Sequence, residues 1–234
     1  MMIVIRGLRE GVGTTTIAAA LAWFWAKHRP PVLAIDAAWS PLTLGAHYLV
    51  PETDTGWNDP NVPVDVAHLP LWRHGEGLYV LPKTLEHRVW LHDEARVKAF
   101  VELTAKTRFQ DIVVDIGSTT TSPWLSYADQ IVTVLPPDVN GFARLKSDTC
   151  PTSDLFVMNG LHPGLTSDND IATLLLTHPT LVGRLYEKPI PFDEYVRRAL
   201  LLGTPVTERY PFATSVAALA GFAAWLRLKT AKGT

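Results

Sequence analysis

A glycine-rich turn near the start of the chain carries the residue types of a phosphate-binding loop. Gly11 and Gly13 follow a short apolar run, and three threonines, Thr14, Thr15 and Thr16, open an alanine-rich helical stretch. Glycine permits close backbone approach to a ligand, and the N–H groups at a helix start attract anions. A hydroxyl there can also bind magnesium. The turn therefore predicts a phosphate site, although a ligand-free strand-to-helix turn would have the same glycines.

The same turn departs from the strict phosphate-loop pattern G-x-x-x-x-G-K-[ST] at two positions. Leu8 stands at the first glycine, and Thr14 stands at the lysine that normally neutralises the β- and γ-phosphates. Glu10 adds a negative charge where an approaching triphosphate would meet it. Taken alone, the loop is a weak signal for a bound nucleotide.

Strand and helix patterns alternate along the rest of the chain. Apolar runs of strand length, several of them unbroken, predict strands at residues 3–6, 32–36, 78–81, 111–115, 130–135, 155–158 and 183–186. Helical patterns lie between them at residues 14–27, 92–106, 168–176, 193–202 and 212–228. This alternation predicts an α/β three-layer sandwich, with a mainly parallel sheet and helices on both faces. We expect one domain over residues 1–234, with an irregular insertion at about residues 51–77.

Composition narrows the functional classes. The 234 residues are 47% hydrophobic and 19% charged, with a net charge of −2 and a pI near 6.4. Nonspecific nucleic-acid binders usually have a basic surface, so nucleic acid is a disfavoured partner. The single cysteine, Cys150, excludes a disulfide within the chain. No apolar run approaches the roughly 20 residues of a membrane span, and no leader pattern opens the chain, so we expect a cytoplasmic protein.

Five motifs resemble, in chain order, the deviant-P-loop ATPase family that includes ParA and MinD. The motifs are "REGVGTTT", "VLAIDAAWSP", "QDIVVDIGS", "FVMNG" and "IPFDEYVRRALLLGTPV". The resemblance implies a P-loop NTPase fold and ATP or ADP with Mg²⁺ as cofactor. It assigns magnesium to Thr15, Asp36 and Asp115, and adenine to Asn159. The implied nucleotide contacts are Arg9, Glu10, Gly11, Val12, Gly13, Thr14, Thr15, Thr16, Asn159, Pro191 and Asp193, of which the last two begin the segment that covers the base.

Within that family, "GLREGVGTTTIAAALAW" most resembles the cellulose-biosynthesis Q (BcsQ) branch, which also has arginine and threonine in place of the two loop lysines. The motifs "TGW" at residues 55–57 and "YVLPKT" at residues 79–84 are similar to the same branch. Arg9 then stands at the family's signature lysine, which reaches the phosphates of a partner subunit. The resemblance implies a homodimer, or a complex with a small accessory subunit, that serves a membrane-associated synthase, pilus or secretion system.

Two catalytic positions of the family are degenerate in this chain. Members that hydrolyse ATP carry D-x-D after the second strand, and the second aspartate, which orients the attacking water, is replaced here by Ala38. Water-positioning groups contribute on the order of 10²–10⁴ in rate. The lysine replaced by Thr14 would stabilise charge that develops on the γ-phosphate. No catalytic residue of the family is intact, so we predict nucleotide binding with slow or absent hydrolysis.

Three functional classes remain open after these substitutions. The first is a nucleotide-gated switch in which ATP holds two subunits together. The second is a pseudo-ATPase scaffold that binds nucleotide permanently or not at all. The third, a DNA- or plasmid-partition ATPase, is common in the superfamily but is disfavoured by the slight acidity of the chain.

Other polar constellations carry weaker predictions. His87 and His92 are the closest histidine pair, but five residues on a helix place them on different faces, so a metal site is disfavoured. The "GSTTTS" segment at residues 117–122 fits a polar switch loop and a helix cap equally. Residues 197–198, two adjacent arginines, fit a solvated helix face better than a basic patch.

Overall fold

The computed structural model describes residues 1–40, 43–51, 55–65, 67–84, 86–146 and 152–231. Cys150 lies outside the described residues. Among the described helices, none has the length and apolar character needed to cross a membrane.

One mainly parallel sheet forms the centre of the fold. Its strands lie in the order β3-β4-β2-β5-β1-β6-β7-β8, and only β3 runs antiparallel to its neighbour, β4. The strands are β1 (Met2–Gly7), β2 (Val32–Asp36), β3 (Trp72–His74), β4 (Leu78–Leu81), β5 (Asp111–Asp115), β6 (Gln130–Leu135), β7 (Leu155–Leu161) and β8 (Ile190–Pro191). The predicted α/β class and mainly parallel sheet are therefore confirmed.

Helices cover both faces of this sheet. The α-helices are α1 (Thr14–His28), α2 (Glu94–Thr104), α3 (Val139–Lys146), α4 (Thr166–Leu176), α5 (Glu194–Leu201), α6 (Val206–Arg209) and α7 (Thr214–Ala231). Three 3₁₀ helices span Leu44–Tyr48, Arg88–His92 and Pro123–Tyr127. The alanine-rich helix α1 packs with α7 in the core on one face, where small side chains allow close helix contact. Trp57, Phe100 and Trp124 pack together in the core on the other face.

The sheet brings the ends of its central strands to one edge. Asp36 at the end of β2 pairs in register with Asp115 at the end of β5, and Asp115 pairs with Ile5 of β1. The Gly7 N–H donates to the Gly117 carbonyl at 2.7 Å, so the loops after β1 and β5 touch directly. Because the strands run parallel, the loops that follow them gather at this edge, as is usual for ligand sites in open α/β sheets.

Several predicted elements differ from the structure. The strand predicted at residues 183–186 is wrong: Leu185 makes a single bridge to Phe156, after a turn at Gly183 with φ of +75°. The helix predicted from residue 92 begins later, because the Asp93 side chain caps it by accepting from the Arg96 N–H at 2.8 Å. The range 51–77 contains strand β3, which the sequence pattern did not indicate. Helix α3 and strand β8 were also missed.

Candidate nucleotide site

The loop between β1 and α1 requires glycine at two points. Gly11 and Gly13 have φ of +74° and +86°, in the left-handed region where a side chain is strained. A Cβ on Gly13 would lie 2.3 Å from Asn159 Nδ2. The loop therefore brings its backbone against β7 in a way that only glycine allows, and α1 starts immediately after Gly13.

Thr14, at the position of the missing lysine, is buried beneath this loop. A Cβ on Gly7 would lie 2.5 Å from the Thr14 hydroxyl oxygen, so the threonine packs over the end of β1. Its side chain lines no part of the neighbouring cleft. Thr14 thus fills space inside the loop and supplies no charge to a ligand.

A cleft of about 470 Å³ opens beside the loop. Eight of the eleven predicted nucleotide contacts line it; the exceptions are Glu10, which is exposed, and the buried Thr14 and Thr15. The eight are Arg9, Gly11, Val12, Gly13, Thr16, Asn159, Pro191 and Asp193. The fold thus brings together residues that are up to 184 positions apart in the sequence, from the first loop to the start of α5.

The side chains of Asn159 and Asp193 already have hydrogen bonds within the chain. Asn159 Nδ2 donates to the Val12 carbonyl at 2.8 Å. The Asp193 carboxylate accepts from the Tyr195 N–H and from both the N–H and the hydroxyl of Ser215, each at 3.0 Å. Asp193 therefore caps α5 and fixes the start of α7, which leaves mainly its backbone for a ligand.

The cleft is also lined by an aromatic stack that the sequence motifs did not indicate. The rings of His162 and Phe192 lie 4.3 Å apart at an angle of 20°, and the Arg197 guanidinium lies 5.2 Å from the Phe192 ring centre. All three residues line the cleft. Flat aromatic and guanidinium groups are the partners on which nucleobases stack. Arg197 is exposed, as expected for a solvated helix face, and it also lines the cleft.

Asp115 has a buried carboxylate oxygen without a partner. Its Oδ1 accepts from the Gly117 N–H at 2.9 Å, whereas Oδ2 is buried and makes no hydrogen bond among the described residues. Burial raises the pKa of Asp115 to about 6, and the charge of Asp36 adds to that effect. The Thr15 side chain, the Gly117 N–H and Lys83 act in the opposite direction. An unsatisfied buried carboxylate beside a threonine hydroxyl fits a magnesium site.

Asp36, the other predicted metal ligand, accepts three hydrogen bonds from protein donors. Its Oδ1 accepts from Lys83 Nζ at 2.8 Å and from the Ala38 N–H at 3.3 Å, and its Oδ2 accepts from the Leu44 N–H at 2.6 Å. Burial raises the pKa of Asp36, and the ion pair with Lys83 opposes this rise. Each oxygen of Asp36 thus accepts at least one hydrogen bond from the protein, and Oδ1 also pairs with the Lys83 ammonium. Sequence reasoning missed Lys83, whose only signal was its place in "YVLPKT".

Arg9 is held within its own chain. Its guanidinium forms an ion pair with the Asp138 carboxylate and donates to the Glu10 carbonyl at 3.0 Å. Both side chains of the ion pair are about one-third exposed. Glu10 itself points to solvent, so its negative charge does not face the cleft.

No polar side chain stands at the water-orienting position. Ala38 is fully buried, and its methyl would be 3.2 Å from a Cβ on Gly117. The nearby His92 shares a hydrogen bond with Ser122 Oγ at 2.8 Å, and burial lowers its pKa to about 4. His87 lies instead 3.7 Å from Asp59. Among the described residues, no three His, Cys, Asp or Glu side chains form a metal-binding group.

Solved structures of ParA- and MinD-type ATPases share this architecture. A ParA family ATPase from Chlorobium tepidum superposes with a TM-score of 0.74 at 19% identity, and covers 95% of this chain and 98% of its own. The septum site-determining protein MinD from Pyrococcus horikoshii, solved with Mg-ADP, gives a TM-score of 0.71 at 17% identity, with 97% and 96% covered. The fold is therefore that of the ParA/MinD class of P-loop ATPases.

The sequence comparisons narrow this class. The family model of the cellulose biosynthesis protein BcsQ matches residues 1–226, and the chain belongs to that family. Escherichia coli K12 cellulose biosynthesis protein BcsQ is 28% identical over 236 residues, which cover 96% of this chain and 93% of the relative. The predicted resemblance to the ParA/MinD superfamily and its BcsQ branch is confirmed.

Proposed function

We propose that this chain binds an adenine nucleotide with Mg²⁺ in the 470 Å³ cleft and hydrolyses it slowly or not at all. The observation that carries the proposal is the unpartnered Oδ2 of Asp115, buried at the strand end that adjoins the glycine loop. Such a carboxylate is unfavourable unless something positive satisfies it. The relative from Pyrococcus horikoshii, whose structure holds Mg-ADP, supports the same choice of ligand.

Each part of the site has a distinct role in this proposal. Gly11 and Gly13 let the loop backbone approach phosphate, and the free N–H groups at the start of α1 attract it. Thr15 and Asp115 would hold the magnesium ion, which neutralises phosphate charge when bound. Asn159, which also contacts the glycine loop, and the Phe192 ring line the same cleft, and the base would lie against them.

The low hydrolysis follows from what surrounds the phosphate end. Ala38 offers neither a proton acceptor nor a hydrogen bond to an attacking water, and the buried Thr14 offers no charge. Arg9, the remaining loop cation, is paired with Asp138. The groups that bind nucleotide are thus present, whereas the groups that stabilise a transition state are absent or occupied.

In the cell, we infer a scaffold or slow switch in cellulose biosynthesis, since the family carries that description. Nucleotide would stabilise a homodimer or a complex with a small accessory subunit, which recruits or positions a membrane-associated synthase from the cytoplasmic side. A nucleotide-free scaffold is the second candidate. The bonds from Asn159 to Val12 and from Arg9 to Asp138 favour it, because they satisfy polar groups of the cleft without a ligand.

Thermal unfolding with nucleotide tests the proposal. Mg-ATP should raise the melting temperature of the wild type, and chelation of magnesium should remove most of the rise. Thr15→Ala should lose the magnesium-dependent part, whereas Thr180→Ala, an exposed threonine outside the cleft, should respond as wild type. A wild type that shows no shift at millimolar nucleotide, and that copurifies with none, would leave the nucleotide-free scaffold.

A further inference from the structure

Lys83 is a fully buried lysine whose three donors are all used. Nζ donates to Asp36 Oδ1 at 2.8 Å, to the Ser40 carbonyl at 3.0 Å and to the Ala38 carbonyl. Neither Lys83 nor Asp36 has any exposed side-chain surface. An ammonium group has three hydrogens, so this environment satisfies it completely. All three acceptors lie in residues 36–40, which we call the first switch segment because its motif resembles the first switch of the ParA/MinD family.

The same segment is held from two further directions. The Asp36 carboxylate reaches forward to the Leu44 N–H at 2.6 Å, and so ties the end of β2 to the start of the next 3₁₀ helix. The Trp57 indole N–H donates to the Asp36 carbonyl at 2.7 Å. Trp57 is itself fully buried, and its carbonyl accepts from Arg96 Nε of helix α2 at 2.7 Å. The first switch segment is therefore connected to α2 as well as to the strand edge.

Two sequence motifs without an assigned role meet behind this segment. The Asn58 side chain pairs with the Thr84 backbone, accepting from its N–H and donating to its carbonyl, both at 2.8 Å. A Cβ on Gly56 would lie 2.2 Å from the Thr84 nitrogen, so the two segments approach as closely as glycine permits. "TGW" with the following Asn58, and the end of "YVLPKT", thus form one unit, which we call the clamp: Gly56, Trp57, Asn58, Lys83 and Thr84.

We propose that Lys83 is a positioning residue which, together with the rest of the clamp, holds the first switch segment in one conformation whether or not nucleotide is bound. A buried ion pair with complete hydrogen bonding fixes one arrangement, because any movement would leave a charge unpaired away from water. The same contacts reserve Asp36 for Lys83 and leave the metal to Asp115 and Thr15. The nucleotide arms of this inference rest on the proposed function, whereas the clamp itself can be tested without nucleotide.

Hydrogen exchange measured by mass spectrometry tests the clamp directly. In the wild type, Mg-ATP should slow exchange in peptides covering residues 8–16 and leave residues 36–40 unchanged. Without nucleotide, Lys83→Met should speed exchange of residues 36–40 by about tenfold or more, because local opening no longer breaks an ion pair. Lys98→Met, at an exposed lysine of α2, is the matched control and should exchange as wild type.

A double variant covers the case in which Lys83→Met does not fold. Asp36→Asn/Lys83→Met removes both charges, so neither is left buried alone. It should fold, exchange faster than wild type in residues 36–40, and bind Mn²⁺ with ADP within about twofold of wild type, because Asp36 is not a metal ligand. This binding measurement separates positioning from metal ligation.

The possible outcomes separate this inference from the proposed function. Slower exchange of residues 36–40 in wild type on nucleotide binding would overturn it, as would wild-type exchange of that segment in the double variant. A large loss of Mn²⁺ affinity in the double variant would return Asp36 to the metal site. No change in residues 8–16 would contradict the proposed function alone, because faster exchange in the Lys83 variant without nucleotide would still support the clamp.

Discussion

Asp36 and Asp115 end neighbouring parallel strands and stand side by side in register, but their carboxylates have opposite surroundings. Asp36 accepts from three protein donors, one of them the Lys83 ammonium, and both of its oxygens are occupied. Asp115 accepts one backbone hydrogen bond, and its second oxygen is buried without a hydrogen-bond partner among the described residues. The two equivalent positions in the sheet thus differ. Asp36 forms a buried ion pair, whereas Asp115 keeps one oxygen available to a ligand.

Under the proposed function, this difference separates the groups that bind nucleotide from those that would turn it over. Groups that only bind, such as the glycine backbone and Asp115, remain available. The segment that would respond to the γ-phosphate is instead fixed by a cation from the protein itself. Satisfied buried charge stabilises one conformation, whereas unsatisfied buried charge favours a ligand.

The largest expected effect comes from removing Lys83, the cation that pairs with Asp36. Lys83→Met leaves the Asp36 carboxylate buried without its cation, which should cost about 3–5 kcal/mol of unfolding free energy. The double variant Asp36→Asn/Lys83→Met should recover most of that loss, because no uncompensated charge remains. Urea denaturation of wild type, single and double variants gives the three values. Equal stability of the two variants would show that Asp36 does not depend on Lys83.

Removing the charge of Asp115 should instead raise the free energy of unfolding. The raised pKa of Asp115, about 6 against a usual 3.8, means that its ionised form is disfavoured in the folded chain. Asp115→Asn should therefore stabilise the nucleotide-free protein at pH 7 by up to about 3 kcal/mol. The same change should abolish the magnesium-dependent response to nucleotide.

The pH dependence of that gain follows from linkage. Between about pH 4 and 6 the folded wild type binds more protons at Asp115 than the unfolded chain does, so wild-type stability from this group falls as pH rises through 6. The advantage of Asp115→Asn should thus be full above pH 6 and vanish near pH 4. Comparing the variants at one pH cancels the contribution of His47, whose pKa burial lowers to about 4. A pH-independent gain would contradict the raised pKa.

Restoring the missing aspartate should have a smaller effect, on rate. Ala38→Asp supplies a carboxylate at the water-orienting position and should raise hydrolysis about tenfold, short of the 10²–10⁴ of a complete group. Thr14→Lys should mainly tighten ATP binding until it is combined with Ala38→Asp, and the effects should be non-additive because both groups act on one transition state. Phosphate release assays on the four proteins check this. A variant no faster than wild type would show that the clamped segment withholds position 38 from the nucleotide.

The smallest expected effect on stability belongs to Arg9. Its ion pair with Asp138 is partly exposed, so Arg9→Ala should change the unfolding free energy by less than about 1 kcal/mol. Nucleotide-dependent dimerisation, or docking of an accessory subunit, should nevertheless be lost, because the variant lacks the guanidinium that in the wild type would leave Asp138 and contact a partner's phosphate. Mass measurement in solution with and without nucleotide tests this. A wild type that stays monomeric in both conditions would confine Arg9 to its pairing with Asp138.

Sequence reasoning predicted the parts of the molecule that local patterns determine. The unbroken apolar runs gave the central strands, and the glycine spacing gave the loop at Gly11 and Gly13. The resemblance to the ParA/MinD family assigned Asn159 and Pro191 to one nucleotide site, and both residues line the same cleft.

The remainder depended on contacts between distant parts of the chain. A lysine after a strand is usually solvated, and the burial of Lys83 arises only from acceptors more than 40 residues away. The "GRLY" segment at residues 183–186 had a strand-like pattern, but a turn at Gly183 limits it to one bridge. The stack of His162 on Phe192 likewise forms only because β7 and β8, which precede these residues, pair side by side.

We propose that this chain binds Mg-nucleotide and does not turn it over, and one experiment tests both binding and turnover. Purified protein is incubated with a stoichiometric amount of ATP and Mg²⁺, separated from free nucleotide, denatured, and its nucleotide identified by chromatography. Close to one nucleotide per chain should be recovered, mainly as ATP, with none retained by Asp115→Asn. Absence of bound nucleotide would contradict the proposed binding. Rapid conversion to ADP, at roughly 1 s⁻¹ as in ordinary kinases, would contradict the proposed lack of turnover.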